Sequence, residues 1–143
     1  MKAIAALQLS ALVLLVVAGA LPTQSRAAGA LAVALPPDVA DEGFAFGTGY
    51  RYKTADEANE GALSRCQKTT SDKLRPLCKV VLSFNHQCVA VAMDPKDGTP
   101  GVGWAVENTL RAAKARAIQK CRETAGPRGK FCKVQVGAGC DWK

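Results

Sequence analysis

Six cysteines, at positions 66, 78, 88, 121, 132 and 140, set the tightest limit on what this 143-residue chain can fold into. An even count of cysteines in a short chain that opens with an export leader reads as a disulfide framework. A zinc site would need C-x2-C pairs or close histidines. Here the nearest cysteines are Cys132 and Cys140, and the sole histidine is His86. There is no C-x-x-C redox motif. We therefore expect three structural disulfides, no metal and no cofactor.

The leader is residues 1–27. Lys2 is followed by an apolar run over residues 3–21, broken only by Gln8 and Ser10. The unbroken part, Ala11 to Leu21, is shorter than the roughly 20 residues that span a bilayer. Pro22 stops the run, and Ser25-Arg26-Ala27 offers small residues for cleavage after Ala27. A retained membrane anchor is the alternative. No cysteine follows the run closely, so lipid attachment is not expected. The exported product, residues 28–143, should have no membrane span. Its first stretch, residues 28–42, is rich in alanine with Pro36-Pro37, and we read it as a flexible tether. One small domain then covers residues 43–143, a size at which cross-links supplement a modest core.

The domain is read as a duplication of residues 43–93 and 103–143. "TADEANEGALSRC" (54–66) aligns with "TLRAAKARAIQKC" (109–121), and "CKVVLSFNHQC" (78–88) with "CKVQVGAGC" (132–140). "GFAF" (43–46) is set against "GWAV" (103–106). Alanines and the cysteine recur at helical spacing in both copies. Thr54 with Glu57 three residues on reads as a capping box. Alternation over Cys78–Asn85 and Cys88–Met93 reads as a hairpin turning at Asn85 and His86. Each copy is thus a βαββ unit, the pair related by a pseudo-two-fold: an α+β fold of antiparallel strands with one helix per repeat.

Hairpin geometry bears on the pairing. Cys78 and Cys88 would sit at opposite ends of a hairpin about 17 Å long, beyond the roughly 7 Å a disulfide allows between Cα atoms. The same holds for Cys132 and Cys140. Each helix ends at a cysteine whose return loop meets the next one. Of fifteen possible connectivities, we expect Cys66–Cys78, Cys121–Cys132 and, joining the copies, Cys88–Cys140.

The spacing Ala58-x3-Ala62-Leu63-x2-Cys66 followed by "CKVVLSFNHQCVAVA" (78–92) resembles a bacterial exported family known as domain of unknown function 4189. The resemblance covers about residues 43–143 and implies an extracytoplasmic bacterial protein. It supplies no catalytic residues. The end of this chain, "CDWK", is shorter and more polar than "CVAVAM" in the first copy.

Charge is lopsided. Residues 41–100 hold eight acidic and eight basic side chains, whereas residues 101–143 hold nine basic and three acidic. Arg111, Arg116, Lys120 and Arg122 on the second helix, with Arg128 and Lys130 beyond it, make either a solvated face or a docking surface for an anionic partner. Lys114 stands at the edge of the apolar stripe. "YRYK" (50–53) puts Tyr50 and Tyr52 on one strand face, a platform for a sugar or peptide or simply a packed pair. No nucleic-acid-binding motif occurs, and we expect no nucleic acid partner.

Chemistry is poorly supported. His86 lacks a nucleophile motif. Asp94 and Asp97 could act as an acid and a base, but "DPKDGTPG" (94–101) is dense in turn formers and reads as the linker between copies. The expected function is an extracytoplasmic, non-enzymatic binding module. Its partner would be a protein or an anionic envelope polymer, and the basic half its contact face. An inhibitor or immunity-type protein that blocks a secreted enzyme is the alternative, and a cell-wall hydrolase the lesser one. The product would be periplasmic or secreted.

Overall fold

The computed structural model describes residues 28–142. Residues 1–27, where the leader and its cleavage are expected, and Lys143 lie outside the described residues. The elements are β1 (Ala28–Ala34), α1 (Val39–Glu42), β2 (Ala45–Tyr52), α2 (Ala55–Lys68), β3 (Cys78–Asn85), β4 (Cys88–Met93), β5 (Val102–Glu107), α3 (Leu110–Ala125), β6 (Lys133–Val134) and β7 (Gly139–Cys140).

Side-chain parity on two strands organises everything else. In β1, Ala30, Ala32 and Ala34 join the core beneath α2, while Leu31 and Val33 join a different core. In β4, Cys88, Ala90 and Ala92 face α3, while Val89 and Val91 meet Leu31 and Val33. Both strands are therefore covered on both faces. The layers run α2, first sheet, second sheet, α3. Strand order is β2-β1-β3 in the first sheet and β5-β4-β6 in the second, with β7 also on β4. All pairings among the described strands are antiparallel.

The helix faces use small residues because the helices lie close. A Cβ added at Gly47 in β2 would come within 2.2 Å of the Ala62 carbonyl oxygen, and one at Gly103 in β5 within 2.3 Å of the Cys121 nitrogen. The helices start where the sequence places them. Thr54 and Glu57 form the reciprocal capping box on α2, and Thr109 caps α3.

The α+β class, the antiparallel strands, the long helix in each half and the three disulfides are as expected; four details of the sequence reading are corrected. Residues 28–42 are not a flexible tether. Ala28–Ala34 is the central strand of the first sheet, and Val39–Glu42 is helical. Alanine is depleted in strands, which hid a segment whose small side chains suit a strand under a helix. Second, β3 and β4 are not a hairpin. They belong to different sheets, so each half reads ββαβ and the halves meet at His86-Gln87, not at residues 94–101. Fully buried Asp141 holds that junction, accepting from the Gln87 N–H at 3.0 Å and donating its own N–H to the Gln87 carbonyl at 3.1 Å.

Third, the glycine that matches Gly103 is Gly47, not Gly43, because both touch their helix one turn before its cysteine. Fourth, Cys88–Cys140 does not join two halves. The bridges are Cys66–Cys78, Cys121–Cys132 and Cys88–Cys140, and with the boundary at residue 86 each closes within one half. Cys88 stands directly opposite Cys140 across β4 and β7. The sheet-to-sheet core of Leu31, Val33, Phe84, Val89 and Val91 carries no cross-link.

A chain that begins at Gly43 should lose its cooperative unfolding transition, because it lacks a middle strand. Leu31→Ala, at a position with no solvent exposure, should lower unfolding free energy by about 2–5 kcal/mol. Urea titration followed by circular dichroism checks both.

Candidate functional site

The structure redistributes the residues singled out from sequence. Tyr50 and Tyr52 do not share a face. Pairing of β1 with β2 skips a residue between Ala28↔Tyr52 and Ala30↔Gly49, and Arg51 at the bulge has φ 67°. An extra residue in one strand reverses which face follows it. Tyr50 packs between the sheets against Gly139, and Tyr52 packs under α2 against Gly61.

The cations of α3 also separate. At about 100° per residue, Arg111 and Arg122 fall on one flank, and Arg116 and Lys120 on the other, about 140° away. All four are exposed. Arg116 donates to Gln119 Oε1 at 3.0 Å, and Gln119 donates to Glu123 Oε1 at 3.2 Å. Lys130 and Arg128 both lie over the ring of Phe131, at 5.1 and 4.6 Å.

Arg128 is also committed to Asp94. Its Nε donates to Asp94 Oδ2 at 2.6 Å and its Nη2 to Oδ1 at 3.0 Å, while the Lys96 N–H donates to Oδ1 at 3.1 Å. The Asp94 side chain is fully buried. The hydrogen bonds from Arg128 hold its carboxyl below the ordinary range against the opposing effect of burial, and the Arg128 guanidinium is raised in turn. Asp97 is exposed in the turn that follows. His86 sits beyond the other end of β4, on the order of 20 Å from Asp94 at strand spacing. Its ring lies 6.3 Å from that of Trp142. Asp94 and Asp97 both line one pocket of about 550 Å³, with Asp94 engaged by Arg128, while His86 lies far from both. Among the described residues no cluster of three or more His, Cys, Asp or Glu side chains could hold a metal ion.

The feature that sequence reasoning missed is aromatic. Phe44 stacks between Phe46 and Trp104, with centroids 6.1 and 5.9 Å apart and planes 25° and 10° from parallel. The three rings are half-buried. On the Trp104 side lies an open groove of about 710 Å³. Leu35, Pro36, Pro37 and Val39 form one wall, β5 with Trp104 the floor, and Lys120, Glu123 and Thr124 of α3 the other wall. Leu35 is 44% exposed. The available signal was the alternation of residues 28–34, which would have brought Leu35-Pro36-Pro37 into the domain.

The family described as a domain of unknown function (DUF4189) matches residues 22–138. The chain belongs to that family. No curated protein and no solved structure matches it. The DUF4189 match begins before β1, in keeping with a domain whose first strand is Ala28–Ala34.

Asp94 gives a pH prediction. Its folded pKa lies below the unfolded value near 3.8. Its contribution to stability is therefore fully present above about pH 3.8 and lost as pH falls through the lower folded value. Asp94→Asn should flatten the stability profile below that pH, read as the urea midpoint at successive pH values.

Proposed function

We propose that this DUF4189 chain is an exported, non-enzymatic binding module whose partner seats in the groove between Leu35–Val39 and α3. The single observation that carries the reading is that groove, with half-buried Trp104 on its floor. Its volume lies within the range of about 300–1,000 Å³ common for ligand sites. The floor is aromatic and the charged lining is Lys120 with Glu123 and Asp38, which suits a partner that is apolar in part and places an acidic group at Lys120. Three disulfides, and no helix among the described residues long and apolar enough to cross a membrane, support a place in the periplasm or outside the cell.

The groove narrows the broader basic-face reading to one flank of α3. Lys120 lines the groove; Arg111 and Arg122 lie on the far flank, and Arg128 is held by Asp94. Affinity capture from periplasmic extract with the oxidised protein tests this. Trp104→Ala and Lys120→Glu should each remove the captured partner, while Arg111→Glu with Arg122→Glu should leave it. Binding should weaken as ionic strength rises from roughly 0.05 to 0.5 M. Capture that survives Trp104→Ala but fails in the Arg111/Arg122 variant would move the site to the other flank and end this reading.

A further inference from the structure

β2 and β5 occupy matching places, each at an outer edge of its sheet, yet their edges are treated differently. At β5, Thr124 Oγ1 accepts from the Val102 N–H at 2.9 Å and donates back to the Val102 carbonyl at 2.8 Å. The backbone of Val102 therefore points away from β4. Gly101, one residue earlier, points inward, its carbonyl accepting from the Asp94 N–H at 2.9 Å. Alternate residues of an antiparallel edge strand share one direction, so the N–H and C=O groups of Trp104 and Val106 also point outward.

At β2 the matching carbonyls have side-chain neighbours instead. Thr69 Oγ1 sits 3.4 Å from the Phe46 carbonyl oxygen, Arg65 Nη1 donates to the Thr48 carbonyl, and Thr48 Oγ1 donates to the Gly137 carbonyl at 2.9 Å. The Arg65 side chain thus occupies the Thr48 carbonyl that another strand would use, although this stretch of β2 also lines an open groove of about 450 Å³.

Thr124 matches Thr69, and Lys120 matches Arg65, each one position before the helix cysteine. The match breaks at the Arg65 contact. Among the described residues, no side chain donates to the Trp104 carbonyl, and the Lys120 ammonium has no hydrogen-bond or ion-pair partner. Of the outward residues left uncapped, Trp104 also lines the groove, and Val106 lies beyond it.

We propose that the partner is an extended polypeptide segment that pairs with the outer edge of β5 at Trp104 and Val106 and carries an acidic side chain toward Lys120. The proposal rests on the groove reading above and adds to it the class of partner and the mode of contact. Backbone hydrogen bonds would supply much of the affinity of such an added strand, and pockets for alternate side chains its selectivity. Trp104 offers a ring face to one side chain, and Leu35 with Pro36 and Pro37 an apolar wall to the next. A second copy of this chain is the competing occupant of the same edge, and the test below separates the two.

The test uses the oxidised protein and a short synthetic peptide that alternates valine and threonine between glutamates. A second peptide has the same side chains, with alternate backbone nitrogens methylated. The plain peptide should bind, shifting the amide resonances of Val102–Glu107 and leaving those of β2 unmoved. The methylated peptide should bind at least about tenfold more weakly, the loss of roughly one to two hydrogen bonds. Lys120→Arg should weaken the plain peptide by a similar factor, because it recreates the Arg65 arrangement while keeping the charge. Equal binding of both peptides, or no effect of Lys120→Arg, overturns strand addition and leaves the groove reading standing. Failure of the plain peptide to bind, together with partner capture indifferent to Trp104→Ala, overturns both. Peptide-independent dimerisation that Lys120→Glu strengthens would place a second copy on β5 and overturn the proposal as well.

Discussion

The constraint on which this structure depends is that β1 and β4 are covered on both faces by different kinds of layer. A strand under a helix and a strand against another sheet want different side chains. Packed sheets stand about 10 Å apart and need valine- or leucine-sized residues to fill the space. A helix lying close to a sheet needs alanine, glycine or cysteine beneath it. β1 meets both demands by alternating alanine with Leu31 and Val33; β4 does so with Cys88, Ala90 and Ala92 on one face and Val89 and Val91 on the other. The close approach extends to the neighbouring strands, where Gly47 and Gly103 face helix backbone.

That arrangement explains where the disulfides are and are not. Cys66 is the last buried residue of its helix and Cys121 the last but one, each ahead of the loop that returns to Cys78 or Cys132, and closing these loops anchors each helix to its own half. Cross-links with sequence separations of 12 and 11 contribute about 3 kcal/mol each in the chain-entropy account, and the one with a separation of 52 about 4 kcal/mol. None ties one sheet to the other. The halves hold together through apolar contact between the sheets, the junction pinned by Asp141, and the Thr48–Gly137 hydrogen bond. Oxidation therefore stiffens each half, while hydrophobic burial sets how the halves meet.

Helix content was written plainly in the sequence because its signals are local. Alanine spacing, the Thr54–Glu57 box and the helix-ending cysteines act within a few residues of one another. Strand partnership was not, because alternation reveals a strand and which residues share a face but not which strand lies beside it. Cys78–Asn85 and Cys88–Met93 both alternate, and a two-residue gap makes a hairpin the natural reading, yet each is drawn into a different sheet. The expected disulfides and the observed ones coincide, although the hairpin argument that excluded Cys78–Cys88 does not hold. What keeps those two apart is membership of separate sheets. The candidate site suffered from the same non-locality. Tyr50 and Tyr52 are separated by a bulge forced by pairing with β1, and Arg128 is engaged by Asp94, 34 positions away. The aromatic column joins Phe44 and Phe46 at one sheet to Trp104 in the other.

Where two halves share a topology, the positions at which they differ are informative because the shared scaffold holds the rest constant. Threonine stands at 69 and 124 alike, but Thr124 binds the Val102 backbone closely, whereas the Thr69 hydroxyl lies 2.9 Å from the Arg65 carbonyl of its own helix and 3.4 Å from the Phe46 carbonyl. Position 65 or 120 departs from that parity. Arginine carries a planar fork that can reach a carbonyl beside it, whereas lysine ends in a compact, strongly hydrated ammonium that gains little from a single neutral acceptor. The difference thus leaves the Trp104 carbonyl, among the described residues, without the side-chain donor that the Thr48 carbonyl has, in a helix of the same placement. Edge strands are ordinarily blunted by charge, bulges or covering loops. β2 has its bulge at Arg51, its arginine and the loop at Gly137. β5 has, at Trp104, a lysine set back on the groove wall. An uncovered backbone edge beside a half-buried aromatic ring is what distinguishes the second half from the first, and the proposed strand pairing rests on that difference.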